Sequence, residues 1–248
     1  MQNLRQKQRG FLLNPHRFKM DAPLKALYHF DGVDGATTTV DSSSYARAIT
    51  LANSAQLDTT QAVFGVSSLL FTNASQSYAS MAGSSDFNVG TDNFTIRFWV
   101  RKSANGSAGS YRRLFQTTMG DVVSGLSLAD NKLSTGNLSW SISTNGTTQN
   151  IVADADVGSL PLNINTHISI EQSSGTIHLY VAGVRVHSAN MGGIAPYFNL
   201  TYPWVLGGQT GTNRTLAGWI DEFEYYKGAA LAGGAATYTL PIAPTPPP

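Results

Sequence analysis

The sequence contains no cysteine and few charged residues. The absence of cysteine from all 248 residues excludes disulfide bonds, thiolate metal sites and cysteine nucleophiles, and it leaves the redox compartment open. Lys, Arg, Asp and Glu make up only 12% of the chain, whereas roughly 25% is usual in globular proteins. No apolar run approaches the roughly 18 residues needed to span a membrane, so we expect no membrane partner. Hydrophobic residues nevertheless reach 42%, which permits a sizeable core and excludes global disorder.

The charges are distributed unevenly along the chain. Residues 1–20 carry five basic side chains and no acidic one, which leaves 11 basic and 15 acidic residues for the rest of the chain. The five basic residues are Arg5, Lys7, Arg9, Arg17 and Lys19. The longest apolar run in this arm is too short for the 7–15-residue core of an export signal, so we expect no signal peptide. Nucleic-acid binding is one interpretation of a basic arm. Because aromatic residues are scarce among these charges, we expect an arm that anchors on a partner protein instead, and no nucleic acid.

The C-terminus has a different composition. Residues 229–248 are rich first in Gly and Ala and then in Pro, and proline-rich chains favour the polyproline II conformation. We therefore expect three parts: a basic extended arm at residues 1–23, a body at residues 24–228 and an extended tail at residues 229–248. A disordered tail is the alternative.

The body shows the pattern of β-strands throughout. Short runs of alternating apolar and polar residues are separated by Gly, Asn, Ser and Asp. In residues 94–101 the apolar side chains alternate with Thr, Arg and Trp, which places one face of a strand in a core. Residues 167–181 predict a hairpin with a turn at Ser173–Gly175. Strands and turns that recur every ten or so residues predict an all-β antiparallel sandwich or jelly roll.

Several segments, taken in order, resemble the laminin-G-like (concanavalin A-like) jelly-roll family. They are Leu27–Gly32, Phe64–Phe71 followed by Tyr78–Met81, Phe94–Val100 (FTIRFWV, similar to the family's FTIEFWV-type strand), Leu179–Val186 and Gly218–Tyr225. The resemblance covers residues 24–228 and implies two stacked antiparallel sheets with a curved concave face. It does not imply one function, because this fold hosts lectins, hydrolases, adhesion modules and structural proteins.

The style of the opening and closing strands, together with the Pro-rich end, resembles the variant found in tailed-bacteriophage virion proteins. This resemblance implies a non-enzymatic structural protein that decorates the virion exterior, is assembled in the host cytoplasm, and is anchored through its terminal arms to major capsid or tail proteins. A homo-oligomer is a further expectation. The basic arm and the length of the tail depart from the pattern. The alternative is a carbohydrate- or host-receptor-binding module of a virion or cell surface, and a glycoside hydrolase is the third hypothesis.

Candidate catalytic residues are few. Glycoside hydrolases need two carboxylates roughly 5–9 Å apart, and the resemblance implies a Glu-x-Asp-x-x-Glu strand for the laminarinase-like branch, which this sequence does not contain. Glu222 and Glu224 would share a strand face about 7 Å apart. We interpret them as part of a solvated strand face, and we expect no enzymatic activity.

Two acids are candidate ligands for a structural calcium ion. Alternation places Asp221 on the same face as Phe223 and Tyr225, and an acid on an apolar face must be paired, hydrogen-bonded or metal-bound. The resemblance implies a calcium site where the first and last strands meet, with Asp31 and Asp221 as ligands. The alternative is a buried aspartate that accepts backbone N–H bonds. No cofactor is required by either interpretation.

Aromatic residues near predicted loops are candidates for glycan binding. Tyr202, Trp204 and Arg112 lie in segments that combine aromatic rings with guanidinium groups, and such combinations occur in sugar sites. The alternative, which we favour, is that these side chains fill the core or form a protein contact, since aromatic residues also dominate protein interfaces.

Overall fold

The computed structural model describes residues 24–72, 76–105, 110–119, 123–130, 136–209 and 214–248. The predicted basic arm, with Arg5, Lys7, Arg9, Arg17 and Lys19, lies outside the described residues. The described part forms two antiparallel sheets that stack as a sandwich, so the predicted all-β fold class is confirmed. Within this part, no helix is long and apolar enough to cross a membrane.

The described residues form fifteen strands and one short 3₁₀-helix at Ser85–Phe87. The strands are β1 (Leu24–Tyr28), β2 (Ile49–Ala52), β3 (Gln56–Asp58), β4 (Ser68–Phe71), β5 (Tyr78–Met81), β6 (Phe94–Lys102), β7 (Arg112–Gln116), β8 (Leu126–Asp130), β9 (Asn137–Ile142), β10 (Val152–Ser159), β11 (Asn165–Ser173), β12 (Thr176–Val181), β13 (Val184–Asn190), β14 (Trp204–Leu206) and β15 (Gly218–Lys227).

Each sheet combines strands from distant parts of the chain. The first sheet has the order β13-β12-β11-β6-β15-β4-β3, and β1 also pairs with β15. The second sheet has the order β10-β9-β8-β7-β14-β5-β2. The predicted hairpin is confirmed: β11 and β12 are joined at Ser174 and Gly175, which have φ angles of 51° and 78°. Two positive φ values in a two-residue loop match the right-handed twist of the flanking strands.

The core lies between the sheets and contains many large aromatic side chains. On β6, Phe94, Ile96 and Phe98 are fully buried in it, as the alternation of apolar residues predicts. One ion pair crosses the sandwich: Nζ of Lys102 lies 3.0 Å from Oδ1 of Asp130, and both side chains are completely buried. The two charges compensate each other where water cannot reach them.

The closing strand β15 contains a β-bulge that changes which side chains face the core. The register with β6 shifts between Asp221 and Glu224, and Glu222 has a φ angle of 50°. A bulge adds one residue to a strand and so reverses the alternation beyond it. Phe223 and Tyr225 therefore join the core, whereas Asp221 lies on the outer face of the first sheet. The prediction that Asp221 shares a face with these two aromatic residues is wrong for this reason.

Beyond β15 the chain returns across the outer face of the first sheet. Residues 229–240, which we call the C-terminal strap, form backbone hydrogen bonds with the ends of the β12–β13 turn and with the carboxylate of Glu171 on β11. Residues 241–248 are mostly exposed; Ile242, for example, is 92% exposed, although Nη2 of Arg97 on β6 donates a 3.2 Å hydrogen bond to Oγ1 of Thr245. The strap thus docks on the sandwich of its own chain.

Candidate functional site

A polar groove with a volume of about 480 Å³ opens beside strands β9 and β10. Such a volume lies within the roughly 300–1,000 Å³ range of small-molecule binding sites. The residues that line it are Asn105, Gly136, Asn137, Asp156, Gly158, Ser159, Leu160 and Leu162. We refer to this feature as the polar groove.

Pairing of β9 with β10 brings the lining residues together. Ser159 at the end of β10 lies opposite Asn137 at the start of β9, and the register shifts between Ser159 and Asp156. Gly158 occupies this irregularity with a φ angle of 104°, a conformation that favours glycine because a Cβ atom would be strained there. The side chain of Asp156 is exposed, and its Oδ1 accepts a hydrogen bond of 3.0 Å from the N–H of Gly158. The bulge therefore fixes this carboxylate at the groove.

The described residues of the polar groove include one acidic side chain and two leucines. Asp156 is its acid, and the described lining residues include no cationic side chain. The exposed side chain of Asn105 supplies an amide donor and acceptor, whereas Asn137 is buried. Leu160 is 4% exposed and Leu162 is 43% exposed, so an aliphatic surface adjoins the polar groups. This combination suits a neutral ligand that bears several hydroxyl groups as well as C–H surfaces.

Trp204 lies in the core rather than at a surface. Its side chain is 1% exposed, and its ring stacks on Phe87 with a centroid distance of 4.5 Å. Phe115 packs edge-on at 5.4 Å, and Tyr225 lies at 4.8 Å. The structure thus supports the interpretation that this tryptophan fills the core, because no face of its ring is open to a sugar.

The other two predicted glycan residues do not line the polar groove either. Arg112 is buried, and its Nη1 donates a 2.9 Å hydrogen bond to the carbonyl of Ala104. Burial lowers the pKa of this guanidinium group. Tyr202 is half-buried in the loop before β14, where its backbone N–H donates to the carbonyl of Asn199 at 3.1 Å. The structure does not bring these residues together into one site.

The glutamates of β15 are buried, so the interpretation of a solvated strand face is wrong. Oε2 of Glu222 lies 2.8 Å from Nδ1 of His29. The hydrogen bond to Glu222 raises the pKa of His29, while burial raises the pKa of Glu222. Oε2 of Glu224 accepts hydrogen bonds from Arg97 at 2.8 Å and from the hydroxyl of Tyr226 at 2.6 Å. Each carboxylate is thus held by a partner inside the fold.

Asp31 and Asp221 both accept hydrogen bonds from backbone N–H groups of the loop before β4. Oδ2 of Asp221 accepts from Val63 at 2.7 Å and from Phe64 at 3.4 Å, and burial raises the pKa of Asp221 to about 7. Oδ1 of Asp31 accepts from Val66 at 2.6 Å.

The contacts of Asp221 match the alternative of a buried aspartate bound to backbone donors, whereas Asp31 is exposed. A calcium cradle is built from oxygen ligands, whereas both carboxylate oxygens of Asp221 accept hydrogen bonds from backbone N–H groups, so Asp221 does not fit that role. Among the described residues, no group of three or more His, Cys, Asp or Glu side chains could hold a metal ion. Calcium binding at Asp31 and Asp221 remains a prediction without support from this geometry.

Local sequence patterns give little indication of the polar groove. None of its described lining side chains is aromatic, and these residues are spread from Asn105 to Leu162. The spacing of Asp156 and Gly158 near the end of an alternating segment is a signal of a turn or bulge, and it marks the point where the groove forms. The neighbouring residues do not show that this segment pairs with β9.

Comparisons with known proteins show the family and the fold. A family profile described as the Concanavalin A-like lectin/glucanases superfamily matches residues 73–233, which is more than half of the chain. No curated protein sequence matches.

Among solved structures, the binding domain of Paraclostridial Mosquitocidal Protein 1 is similar with a TM-score of 0.64 and 19% identity, over 84% of this chain and 49% of that one. Domain 4 of AbnA, a GH43 extracellular arabinanase from Geobacillus stearothermophilus solved with arabinotriose, has a TM-score of 0.57 and 16% identity, over 84% of this chain and 93% of that one. The botulinum neurotoxin serotype D binding domain has a TM-score of 0.56 and 15% identity, over 84% and 49%.

The chain spans about half the length of the two toxin binding domains that it matches. At these identities the similar structures show a shared fold. Together with the profile match, the two antiparallel sheets show that the chain belongs to the concanavalin A-like lectin/glucanase superfamily.

Proposed function

We propose that the chain is a non-enzymatic carbohydrate-binding module and that the polar groove is its glycan site. The observation that carries this proposal is the convergence of the exposed carboxylate of Asp156, the exposed amide of Asn105 and an aliphatic surface on one groove of about 480 Å³. The similar structures support it, since one is a domain solved with arabinotriose and others are binding domains of toxins.

The groove chemistry favours neutral glycans over acidic ones. A carboxylate accepts hydrogen bonds from sugar hydroxyls, and amides both donate and accept them. The same carboxylate of Asp156 repels a sugar acid, and the described lining residues offer no cation to offset that repulsion. A Cβ atom at Gly158 would meet nothing within 4 Å, so the backbone at this point is open to close approach by a ligand.

The positions of the acids support a binding role without catalysis. A glycosidase needs an acid and a nucleophile or base on either side of the scissile bond. Asp156 is the carboxylate among the described residues of the groove. Glu222 and Glu224 are 3% exposed and held in contacts with His29 and Arg97.

Calorimetric titration with neutral and acidic oligosaccharides tests the proposal. We expect neutral oligosaccharides, arabino-oligosaccharides among them, to bind. We also expect Asp156→Asn to weaken that binding about tenfold or more, because a hydrogen bond to a charged group contributes roughly 1.5–3 kcal/mol. Asp92→Asn is the matched control, since Asp92 is an exposed aspartate outside the groove. Binding of acidic sugars alone, or equal affinity of Asp156→Asn and wild type, would contradict the groove assignment.

We further propose that the module is displayed on the exterior of a tailed-bacteriophage particle, as a decorating structural protein assembled in the host cytoplasm. The basic arm supports this setting, because five positive charges within residues 1–20 precede a body with an excess of acids. Such an arm suits an acidic surface formed by major capsid or tail proteins.

Particle-binding assays test the anchor. A chain that lacks residues 1–20 should retain the thermal unfolding midpoint of the full chain but fail to attach to the particle. Attachment of the full chain should weaken as salt is added, since exposed charges are screened. Full occupancy by the shortened chain would refute the arm as an anchor.

A further inference from the structure

A second, smaller cleft lies on the outer face of the first sheet, where β15, β6 and β11 run side by side. Trp219 on β15 lies opposite Arg101 on β6, and Arg101 lies opposite Asn165 on β11. Ile220 is fully buried in the core, so alternation directs the neighbouring indole of Trp219 outward. The cleft, which we call the tryptophan cleft, has a volume of about 10 Å³. Its lining includes Trp99, Arg101, Asn165, Trp219 and Asp221.

Two hydrogen-bond donors of the tryptophan cleft have no partner among the described residues. They are Nε1 of Trp219 and Nε of Arg101, and both atoms are shielded from solvent. Buried donors in native proteins are usually paired. The cleft has room for about one oxygen atom of water size, so a ligand hydroxyl or a bridging water would satisfy them. The exposed side chain of Asn165 adds an amide at the rim. The tryptophan cleft thus combines an aromatic ring with polar groups, as a sugar ligand requires.

A short segment connects the tryptophan cleft to the polar groove. Residues 160–164, which we call the corner segment, lead from the end of β10 to the start of β11. Leu162 lines the polar groove, and Asn165, three residues later, lines the tryptophan cleft. Three residues of extended chain span at most about 11 Å. One oligosaccharide chain is therefore long enough to contact both features.

The corner segment offers a fixed aliphatic surface between the two features. Leu162 is 43% exposed and Ile164 is 56% exposed. The backbone of Asn163 is held on both sides: its N–H donates to the carbonyl of Lys102 at 2.7 Å, and its carbonyl accepts a hydrogen bond from Nη1 of Arg101. Because this backbone is already ordered, a ligand that packs its C–H groups on the two side chains loses little additional free energy to ordering.

We propose that the tryptophan cleft is a second subsite of the glycan site, and that its ligand is an extended neutral polysaccharide whose chain passes from the polar groove over the corner segment to Trp219. This inference rests on the proposed function, since the polar groove holds the first part of the chain. When two subsites bind one chain, the second contact is intramolecular. Affinity should therefore increase with the length of the glycan.

Calorimetric titration of the full chain with one neutral glycan of graded length tests the second subsite. The series runs from di- and trisaccharides to hexa- and octasaccharides. We expect the wild type to bind the long members at least about tenfold more tightly than the short ones. In Trp219→Ala this ratio of affinities should fall to near unity. Asp156→Asn should weaken the binding of short and long members alike, because every member uses the polar groove.

A matched control shows whether the effect belongs to this position. Tyr78 on β5 is also a half-buried aromatic residue on the outer face of a sheet, since its neighbour Ala79 points into the core. It lies in the second sheet, far from β10 in the strand order, so Tyr78→Ala should keep the wild-type ratio. Ile164→Ser alters an exposed side chain of the corner segment and should lower the ratio several-fold without affecting the fold.

The titrations distinguish failure of the second subsite from failure of the proposed function. If neutral glycans of every length fail to bind, the proposed function and the second subsite are both wrong. If short members bind and Asp156→Asn weakens them, but the wild-type ratio is near unity, only the second subsite is overturned. A wild-type ratio that persists in Trp219→Ala and in Ile164→Ser would overturn it as well.

The indole N–H resonance of Trp219 provides a second measurement on the wild-type chain. Comparison with the conservative variant Trp219→Phe assigns this resonance. We expect a saturating octasaccharide to shift it and a saturating disaccharide to leave it in place. An unchanged resonance in the presence of bound octasaccharide would overturn the second subsite even if Trp219→Ala fails to fold.

Discussion

Replacement of Trp204 by alanine distinguishes a core role from a role in binding. The indole contacts Phe87, Phe115 and Tyr225 and is 1% exposed. A buried tryptophan removes roughly 150–250 Å² from water, which at about 25 cal/mol per Å² corresponds to roughly 4–6 kcal/mol. Measured truncations of this kind cost about 3–5 kcal/mol. We therefore expect Trp204→Ala to lower the free energy of unfolding by about 3–5 kcal/mol.

Urea unfolding followed by circular dichroism measures this loss, and glycan titration of the folded fraction gives the second readout. Domains of this kind are stable by only about 5–15 kcal/mol, so the titration should be run at low temperature with the folded fraction determined in parallel. We expect affinity per folded molecule to equal that of wild type, and Trp204→Phe to recover much of the stability. Wild-type stability combined with lost glycan binding would refute the placement of Trp204 in the core.

Three further predictions concern buried charges. Lys102→Met should destabilise the fold by about 3–5 kcal/mol because it leaves Asp130 charged and buried, whereas Lys102→Met/Asp130→Leu should recover most of the loss in a urea double-mutant cycle. The pKa of Asp221 rises from 3.8 to about 7 on folding, so its contribution to stability falls as the pH rises through that interval, and Asp221→Asn should remove this slope from the pH dependence of urea unfolding. Burial lowers the pKa of His167 from 6.5 to about 3. The contribution of His167 to the free energy of unfolding is therefore lost as the pH falls through that interval, and His167→Gln should remove this part of the pH dependence. The pH dependences caused by Asp221 and His167 have opposite signs where their pH ranges overlap. The quantity to measure is therefore the difference in the free energy of unfolding between the wild type and each variant at each pH.

Local sequence patterns predict the strands but not the irregularities between them. The alternation in β6 and the turn at Ser174 and Gly175 are properties of adjacent residues, and both are confirmed. The bulge in β15 has another origin: β4 pairs with residues 218–220, and β1 pairs with residues 223–226 along the same edge. The irregularity falls between these two partners, which come from distant parts of the chain, so alternation alone assigns Asp221 to the wrong face.

The candidate site was harder to predict than the fold. An aromatic residue near a predicted loop indicates a possible sugar site, and Trp204 is such a residue. In this sandwich, however, large aromatic rings fill the space between the sheets, and Trp204 is one of them. The polar groove is built from small polar residues that a strand pairing brings together, and such residues are common throughout this sequence. Composition predicts an extended C-terminal tail but not where it docks. The docking depends on Glu171 of β11, whose carboxylate accepts hydrogen bonds from Ala232 and Gly234 of the strap.

Mapping a bound neutral oligosaccharide by amide chemical shifts tests the central claim most directly. Titration of the full chain, compared with Asp156→Asn, shows where the ligand lies. We predict that the largest shifts fall on Asn105, Asn137 and residues 156–160, and that they are reduced in the variant. Shifts centred elsewhere, such as around Tyr202, or identical shifts in the variant and the wild type, would contradict it.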